Sequence, residues 1–311
     1  MSGWRGALAL ALLVPAAAWG VGQVASDRWW WSQWLFWIPA AVPLACALAA
    51  AAVARSPAAL RAIACAAVVL TGAATLRWLS WGRLWGDAPS TEPSPSTLRI
   101  VHLNPRWPGD ATELGAAVMA QPAEVYAISE AGALLRAPAV RAAADSGAVT
   151  IQVGRFAVIS RCPVIEARAV YDDGSIAASW IRFGPTGRLP AWSMLMVDAP
   201  RRLRVSRSEI FATLRAALEG MSMAQPDVVI GDMNTTPGSV AVRESWPELV
   251  DACAESGCGV RGTFPREFPL WAIDRCLVTP RWRADAWSSW DPGLGAHRGQ
   301  RIALDTRGIS P

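Results

Sequence analysis

The sequence predicts an α/β layered domain preceded by three transmembrane helices. Apolar residues make up 52% of the 311-residue chain and are concentrated in its first quarter, whereas strand-like runs alternate with amphipathic helices after about residue 98. Polar side chains recur where these strands end, which is typical of α/β domains with a site at the strand ends. We therefore divide the chain into a membrane region at 1–82, a Pro/Ser/Thr linker at 83–97 and a folded domain at 98–308.

The membrane region contains three apolar stretches, at Gly6–Ala25, Trp29–Ala54 and Ala62–Trp81. A helix needs about 20 apolar residues to cross the hydrocarbon core, and tryptophans at the stretch ends suit the membrane interface. The first stretch also resembles a cleaved signal peptide, because Arg5 precedes it and a run of small residues (16–18) lies within it. Since two more apolar stretches follow at once, three spans are favoured over a signal peptide followed by two.

The arginines of this region predict how the spans are oriented. Arg5 precedes the first stretch, and Arg55 and Arg61 lie between the second and the third, so these segments are expected in the cytoplasm. With three spans, the folded domain then lies outside the cytoplasm. The spans have no charged residue near their centres, which argues against a transporter.

Polar residues follow the strand-like runs of the folded domain. The linker segment "GDAPSTEPSPST" is expected to form a semi-extended spacer, and "TLRIVHLN", "AEVYAISE", "DVVIGD" and "LWAIDRCLV" after it are expected to be strands. In chain order, the polar residues at or after the strand ends are Asn104, Glu130, Asp232 with Asn234, Asp274 and His297. Taken alone, an Asp and an Asn before Thr-Thr-Pro-Gly are also ordinary turn residues.

The segments around these residues resemble the endonuclease/exonuclease/phosphatase superfamily of metal-dependent phosphoesterases. The similar segments are "LRIVHLN", "EVYAISE", "RFAVISRCPV", "IGDMNTTPGS", "GTFPREFPLWAIDRCLV" and "GAHRG", in the order that the superfamily has them. The resemblance implies a four-layer α/β/β/α sandwich. Three spans before such a domain resemble the membrane-anchored bacterial members, which implies a multi-pass protein of a bacterial cell membrane with an extracytoplasmic domain.

The resemblance also implies that a phosphodiester or phosphomonoester is hydrolysed by a water molecule activated with the help of a metal ion. Mg²⁺, or Mn²⁺, would be held by Glu130 with Asn104 beside it, because these hard cations prefer oxygen ligands. A lone Glu at a strand end is more often a solvated residue, so only the ordered set of motifs favours the metal ligand.

Four further residues receive catalytic roles from the resemblance. Asp232 would orient or deprotonate the attacking water, and Asn234 would hold a phosphate oxygen. His297 would donate a hydrogen bond to the phosphate, while Asp274 orients its ring and keeps it charged. The chain has two histidines, and we interpret the other one, His102, as a structural residue within its strand.

The sequence departs from the superfamily pattern at the expected phosphate and metal positions. The middle strand ends in Asp198 where the superfamily has His or Tyr, and Ala296 replaces the acid before the histidine. We place Asp198 in the substrate site with Asn104, where an anion would repel phosphate unless Arg106 or Arg201 compensates through bidentate contact. Two hypotheses stay open: a divergent phosphoesterase, and a pseudoenzyme of the same fold that binds a ligand or partner.

The expected partners are a phosphoester substrate and, through the N-terminal helices, the lipid bilayer. Tethering near a bilayer favours a lipid headgroup or a periplasmic phosphoester, whereas a net charge of +4 gives no strong indication of nucleic-acid binding. Cys253 and Cys258 flank a short turn and could form a disulfide if the domain is extracytoplasmic, with two free thiols as the alternative.

Overall fold

The chain forms two compact units, each built from separate parts of the sequence. The computed structural model describes residues 3–54, 58–81, 96–106, 109–130, 132–187 and 189–306. The first unit comprises Met1–Leu79, Arg202–Glu209 and Thr236–Ser245, and the second comprises Ser80–Arg201, Ile210–Thr235 and Trp246–Pro311. Most of the linker predicted at 83–97 lies outside the described residues.

Helices and strands alternate after the N-terminal helices. The helices are α1 (Gly3–Ala25), α2 (Trp30–Phe36), α3 (Ala41–Val53), α4 (Ala58–Trp78), α5 (Ala111–Met119), α6 (Pro138–Asp145), α7 (Arg207–Gly220), α8 (Val240–Ser245) and α9 (Ala252–Ser256). The strands are β1 (Leu79–Trp81), β2 (Thr97–Leu103), β3 (Val125–Ile128), β4 (Val149–Val153), β5 (Phe156–Ser160), β6 (Val164–Asp172), β7 (Ala177–Phe183), β8 (Trp192–Asp198), β9 (Val228–Asp232), β10 (Val250–Asp251), β11 (Cys258–Val260), β12 (Asp274–Val278), β13 (Trp282–Trp290) and β14 (Gly299–Thr306).

Two six-stranded sheets pack face to face in the second unit. One has the strand order β13-β14-β2-β3-β5-β4, and the other has the order β10-β12-β9-β8-β7-β6. Buried apolar side chains from both sheets form one core cluster between them. A second cluster joins α5 and α6 to β2, β3 and β5. The structure therefore confirms the α/β fold with two packed sheets.

The core between the sheets becomes polar at one end. Alternate side chains of a strand point to the same face of the sheet, so Leu98 and Ile100 of β2 enter the core and His102 continues on their side. β9 follows the same pattern and ends at Asp232, which is also buried. This polar end of the sandwich is where the strand-end residues of the sequence converge.

The prediction of three transmembrane spans is wrong for the part of the chain that the structure describes. Among the described residues, only Trp4–Ala25 is a single helix long and apolar enough to cross a membrane. The second stretch is broken into α2 and α3, which are bent by 63° relative to each other and count at most as one broken span. Pro39 lies in this break, where it has no backbone N–H to continue a helix and restricts the residue before it.

The third predicted span corresponds to α4. In the part of α4 whose side chains are described, a shorter apolar helix runs over Leu60–Ala73. Arg77 lies beyond this segment and is a charged residue within the apolar stretch predicted from the sequence. One span would still be an odd number whereas two would not, so the predicted placement of the folded domain outside the cytoplasm is not supported. α1 has the features of either a membrane span or a signal sequence.

A buried acid in the first unit caps a helix that lies far away in the sequence. Asp27, just after α1, is fully buried, and its carboxylate accepts a hydrogen bond from the Ser239 hydroxyl at 2.5 Å. The same carboxylate accepts hydrogen bonds from the backbone N–H groups of Val240 at 3.1 Å and Ala241 at 3.2 Å. The first N–H groups of a helix have no partner within it, so Asp27 supplies the cap of α8.

A second attachment joins α2 to the segment Arg202–Glu209 of the same unit. The buried side chain of Gln33 donates hydrogen bonds to the backbone carbonyls of Leu203 at 3.0 Å and Val205 at 2.9 Å. The N-terminal helices are therefore joined by specific hydrogen bonds to two segments from the second half of the chain.

Replacing Asp27 with alanine is expected to lower the free energy of unfolding by about 1–3 kcal/mol, because buried donors of α8 would lose their acceptor. The measurement is thermal or denaturant unfolding of the full chain. Glu244→Gln is the matched control, since the Arg28–Glu244 ion pair also joins these segments but is half-exposed and is expected to contribute little. Equal destabilisation by the two substitutions would contradict the capping role.

Candidate active site

Strand pairing brings three carboxylates together at the polar end of the sandwich. Asp232 ends β9 and lies opposite Asp198 of the parallel neighbour β8 and opposite Asp274 of the antiparallel neighbour β12. All three side chains are buried and lie on the faces of their strands that line the core. A set of buried carboxylates with few counter-charges is destabilising, so its presence indicates a functional site.

The end of β9 and the turn after it contain two residues with positive φ. Gly231 has a φ of 149°, and a Cβ atom there would overlap the backbone of Val197 in β8, so the close approach of the two strands requires glycine. Asn234 has a φ of 45°, a region that Asn tolerates better than most residues. Its backbone N–H donates to Oδ1 of Asp232 at 2.9 Å, and its side-chain amide donates to the carbonyl of Ala199 at 2.7 Å.

His297 lies between two of these carboxylates. Its Nδ1 donates a hydrogen bond to Oδ2 of Asp274 at 2.8 Å, and its Nε2 lies 3.9 Å from Oδ2 of Asp232. The ring is fully buried beside Phe264, and Nε2 has no hydrogen-bond partner among the described residues. The histidine is thus oriented from one side and keeps one ring nitrogen available on the side of Asp232.

The charges of this cluster shift the pKa values in opposite directions. Burial lowers the pKa of His297, but the charge and hydrogen bond of Asp274, together with the charge of Asp232, outweigh this effect and raise it to about 9. Burial, followed by the charge of Asp274, raises the pKa of Asp232 to about 7. Burial also acts to raise the pKa of Asp274, but the charge and hydrogen bond of His297 reverse this and lower it. Near pH 8 the histidine is therefore charged and Asp232 is largely ionised.

We expect any hydrolysis at this site to show a bell-shaped pH dependence. Activity should rise as pH increases through about 7, where Asp232 loses its proton, and fall as pH increases through about 9, where His297 loses its own. The measurement is kcat/KM as a function of pH, which reports the groups of the free enzyme. A profile that stays flat across this range would contradict the assignment of these two groups as base and acid.

Asn104 and Glu130 present oxygen atoms at the same end of the sheets. Asn104 follows β2, is buried, and donates from Nδ2 to Oδ2 of Asp232 at 3.1 Å, while its Oδ1 has no hydrogen-bond partner among the described residues. Glu130 follows β3 with a φ of 50° and is exposed. A second set of candidate ligand atoms belongs to Asp232, Asp274 and His297, which lie within 4.8 Å of one another.

Asp198 is largely protonated at neutral pH, which differs from the anion expected from the sequence. Burial, followed by the charges of Asp232 and Glu130, raises its pKa to about 8, although the charge of Arg155 opposes this shift. A neutral carboxyl group can donate a hydrogen bond. The replacement of His or Tyr by Asp at this position therefore does not place a full negative charge there at pH 7.

One of the two predicted substrate-binding arginines, Arg106, interacts electrostatically with these acids. Arg106 follows Asn104 with a φ of 32°. Burial and then the charge of Arg201 lower the pKa of Arg106, and the charges of Glu130, Asp232 and Asp198 oppose this. Arg106 is therefore close enough to interact electrostatically with Arg201 and with the carboxylates at the strand ends.

Position 296 has no acid to offer to the site. The backbone N–H of Ala296 donates to the carbonyl of Pro105 at 3.0 Å, which joins the loop before His297 to the loop after β2. Gly295 has a φ of 79°, and a Cβ atom there would collide with the Pro105 backbone, so the loop is tightly packed at this point.

The predicted disulfide between Cys253 and Cys258 involves a side chain, that of Cys258, outside the described part of the structure.

Sequence reasoning missed Arg155 and Gln300. Arg155 lies in the turn between β4 and β5 and pairs with Asp172 at 2.7 Å, and its charge reaches Asp198. Gln300 lies in β14 directly opposite His102. The sequence could have identified Gln300 as a residue facing the core, because alternate residues of a strand lie on one face and Gln300 precedes the core residues Ile302 and Leu304 in this alternation.

The comparisons with known proteins agree with this arrangement. A family model described as "Endonuclease/Exonuclease/phosphatase family" matches residues 103–297. A solved member from Bacteroides vulgatus has a TM-score of 0.52 at 17% identity, covering 68% of this chain and 99% of that chain. A mannosyl-6-phosphatase from Bacteroides thetaiotaomicron has a TM-score of 0.51 at 14% identity, covering 67% and 99%. No curated protein matches the chain.

At these identities the solved structures support the fold alone, whereas the family model spans more than half of the chain. The matched segment begins at the last residue of β2 and ends at His297, so it includes Asn104, Glu130, Asp232 and Asp274. Members of this family are metal-dependent phosphoesterases or nucleases. The chain belongs to the endonuclease/exonuclease/phosphatase family.

Proposed function

We propose that this protein is a metal-dependent phosphoesterase that hydrolyses a phosphodiester or phosphomonoester and is anchored to a membrane by α1. The observation that carries the proposal is the buried Asp274–His297 pair, whose free Nε2 lies 3.9 Å from Oδ2 of Asp232. General acid–base hydrolysis needs a charged acid beside an ionisable base. Here Asp274 keeps the His297 ring charged, and Asp232 is the ionisable carboxylate beside it.

The oxygen atoms of Asn104 and Glu130 fit a hard divalent cation such as Mg²⁺ or Mn²⁺. The Oδ1 atom of Asn104 is buried and lacks a hydrogen-bond partner among the described residues, and Glu130 adds a carboxylate. Using Asp232, Asp274 and His297 as ligands instead would compete with the Asp274–His297 hydrogen bond. When bound, the cation would supply positive charge against the negative charge that develops on the phosphoryl oxygens.

The protein's own residues then share the remaining tasks. Asp232, ionised above about pH 7, would orient a water molecule and accept its proton. His297, charged below about pH 9, would donate from Nε2 to a phosphoryl or leaving-group oxygen. Asn234 would hold a phosphate oxygen with its side-chain amide, which its hydrogen bond to the Ala199 carbonyl orients.

Phosphate binding would use Asp198 and the arginines around it. At neutral pH the protonated carboxyl group of Asp198 would donate a hydrogen bond where other members of the family use His or Tyr. Arg106 and Arg201 would supply charge, and arginine is suited to bidentate contact with phosphate. A lipid headgroup is the preferred substrate class, because α1 would hold the domain near a bilayer. The modest net charge of +4 gives little support for a nucleic acid.

The test is hydrolysis of bis(p-nitrophenyl) phosphate and p-nitrophenyl phosphate by the full chain in detergent. Activity should require Mg²⁺ or Mn²⁺, disappear with a chelator and return when the ion is restored. Glu130→Gln should raise the metal concentration needed for half-maximal rate by about tenfold or more, because it removes the ligand charge. Glu113→Gln, an exposed acid on α5, is the control. Hydrolysis that resists the chelator would contradict the proposal.

A pseudoenzyme that binds a ligand without turnover is the second candidate. The observation that favours it is Ala296, since this position offers only a backbone N–H and that group is bonded to Pro105. If neither probe is hydrolysed and calorimetry detects no binding of Mg²⁺ or Mn²⁺, this second function replaces the first.

A further inference from the structure

Four tryptophans at the start of α2 are exposed, while polar side chains of the same helix are buried. The exposed side chains, each accessible to between 43% and 57%, are Trp29, Trp30, Trp31 and Trp34. Ser32 and Gln33 are buried. A helix that faces water has the reverse pattern, with polar side chains outside and large apolar ones inside. This outer surface, the tryptophan face, is therefore suited to a partner other than water.

The buried amide of Gln33 joins the tryptophan face to a segment with exposed arginines. Its Nε2 atom donates hydrogen bonds to the carbonyls of Leu203 at 3.0 Å and Val205 at 2.9 Å. Arg202 and Arg204 belong to this segment and are exposed. The segment and α2 lie in the same compact unit. Specific hydrogen bonds thus hold two arginines beside an aromatic surface from which they are distant in the sequence.

The charges of these two arginines are not neutralised within the described structure. Neither Arg202 nor Arg204 forms an ion pair with a described residue. The acid of the same segment, Glu209, accepts a hydrogen bond from the backbone N–H of Ser206 at 3.2 Å, at the start of α7. The surface therefore combines exposed aromatic rings with two cations that an anionic partner can bind.

A bilayer with anionic headgroups has both of the properties that this surface fits. Tryptophan side chains favour the level of the headgroups, because the ring is apolar and its N–H is polar. Arginine binds phosphate groups, and anionic lipids attract basic segments close to the membrane. The same unit contains α1, which is long and apolar enough to cross a membrane. α2 is bent by 63° relative to α3, as expected of a helix that lies along the interface and does not continue a span.

We propose that the tryptophan face, together with Arg202 and Arg204, is a binding surface for the headgroups of anionic phospholipids. The tryptophan rings would lie among the headgroups, and the two guanidinium groups would contact lipid phosphates. This surface adds to the anchor the dependence on lipid charge that an apolar helix alone does not have. It rests on the proposed anchoring by α1 only in that the chain must reach a bilayer.

The first test is amide hydrogen exchange of the full chain in nanodiscs of phosphatidylcholine, with or without phosphatidylglycerol. Exchange at the backbone amides of Leu203–Ser206 should be slower by about tenfold or more in the anionic discs, because each arginine near an anionic surface contributes about fivefold to binding. This slowing should diminish as the salt concentration rises.

A pair of double variants assigns this effect to the two arginines. Arg202→Gln/Arg204→Gln should exchange at the same rate in both kinds of disc. Arg215→Gln/Arg301→Gln removes the same charge from exposed positions of α7 and β14 and should behave like the unmodified chain. All four positions are exposed, so both variants are expected to fold.

The second test locates the tryptophan face by fluorescence quenching. The difference in emission between the unmodified chain and Trp30→Phe/Trp34→Phe isolates these two side chains among the 18 tryptophans. Lipids brominated near the headgroup should quench this difference more than lipids brominated near the end of the acyl chain. The same difference for Trp282→Phe, which is buried in the second unit, should be quenched by neither.

Equal exchange in neutral and anionic discs, or slowing that persists in Arg202→Gln/Arg204→Gln, would overturn the proposal. A dimer by light scattering that Trp30→Ser/Trp34→Ser converts to a monomer would assign the face to a second copy of the chain and would also overturn it. Failure of the chain to enter neutral discs would contradict the anchoring by α1. Cosedimentation with vesicles of the same two compositions would then still decide whether the surface binds anionic lipid.

Discussion

Replacing His297 with asparagine is expected to lower kcat for phosphoester hydrolysis by about 10²- to 10⁴-fold, the range typical of a lost general acid or base. The reason is the loss of Nε2, the one ring nitrogen without a hydrogen-bond partner in the described structure. Asparagine keeps an N–H near the position of Nδ1, so the buried Asp274 retains a donor. The measurement is steady-state hydrolysis of the two nitrophenyl probes at saturating metal.

The control for this substitution must separate lost chemistry from lost folding. The unfolding temperature should fall in His297→Asn, because a neutral amide keeps a donor for Asp274 but not the positive charge between two buried carboxylates, so rates are compared at temperatures where the variant stays folded. Arg301→Gln, an exposed change in the nearby strand β14, should leave the rate unaltered. A His297→Asn variant with full activity would remove the histidine from the mechanism.

Replacing Asp232 with asparagine is expected to cause a loss of similar size, about 10²- to 10⁴-fold in kcat, because the site would lose its base. The fold should tolerate the change, since Asn104 can rotate its amide and offer its unpartnered Oδ1 to the new side-chain N–H. The pH profile supplies a second signature. The rising limb near pH 7 should disappear from the residual activity.

In the pH profile of Asp232→Asn, the fall of activity at high pH should move to lower pH. The negative charge of Asp232 helps to raise the pKa of His297, so its removal lets that pKa fall. Asp285→Asn serves as control, because it removes the same charge from β13, where Asp285 pairs with Arg283. If Asp232→Asn keeps both limbs in place, another group must act as the base.

The polar residues of the site could be named from the sequence because each lies at or near one end of a strand that is easily recognised. Asn104, Asp232 and Asp274 all adjoin apolar runs that are short and rich in branched residues. What the sequence does not contain is the register of the strands. The pairing of Asp232 with both Asp198 and Asp274 depends on how β8, β9 and β12 align, and burial together with the charge of Asp232 raises the pKa of Asp198.

The N-terminal region was harder to predict because hydropathy sums over residues and ignores where a helix breaks. The stretch from Trp29 to Ala54 is apolar throughout most of its length, yet it forms two helices around Pro39. Contacts between segments that lie far apart in the chain could not be predicted from the sequence either. Asp27 is a single charged residue in a short loop, and its hydrogen-bond partner Ser239 lies 212 positions later.

The cap that Asp27 provides to α8 also bears on how such a protein can evolve. An N-terminal region joined to the rest of a protein only by a flexible linker can be exchanged for another by recombination near the linker. Here, Asp27 and Gln33 hold segments that the second half of the gene encodes. A recombinant that received a foreign N-terminal region would leave the N–H groups of Val240 and Ala241 without their acceptor. The two halves of this gene are therefore expected to be inherited together.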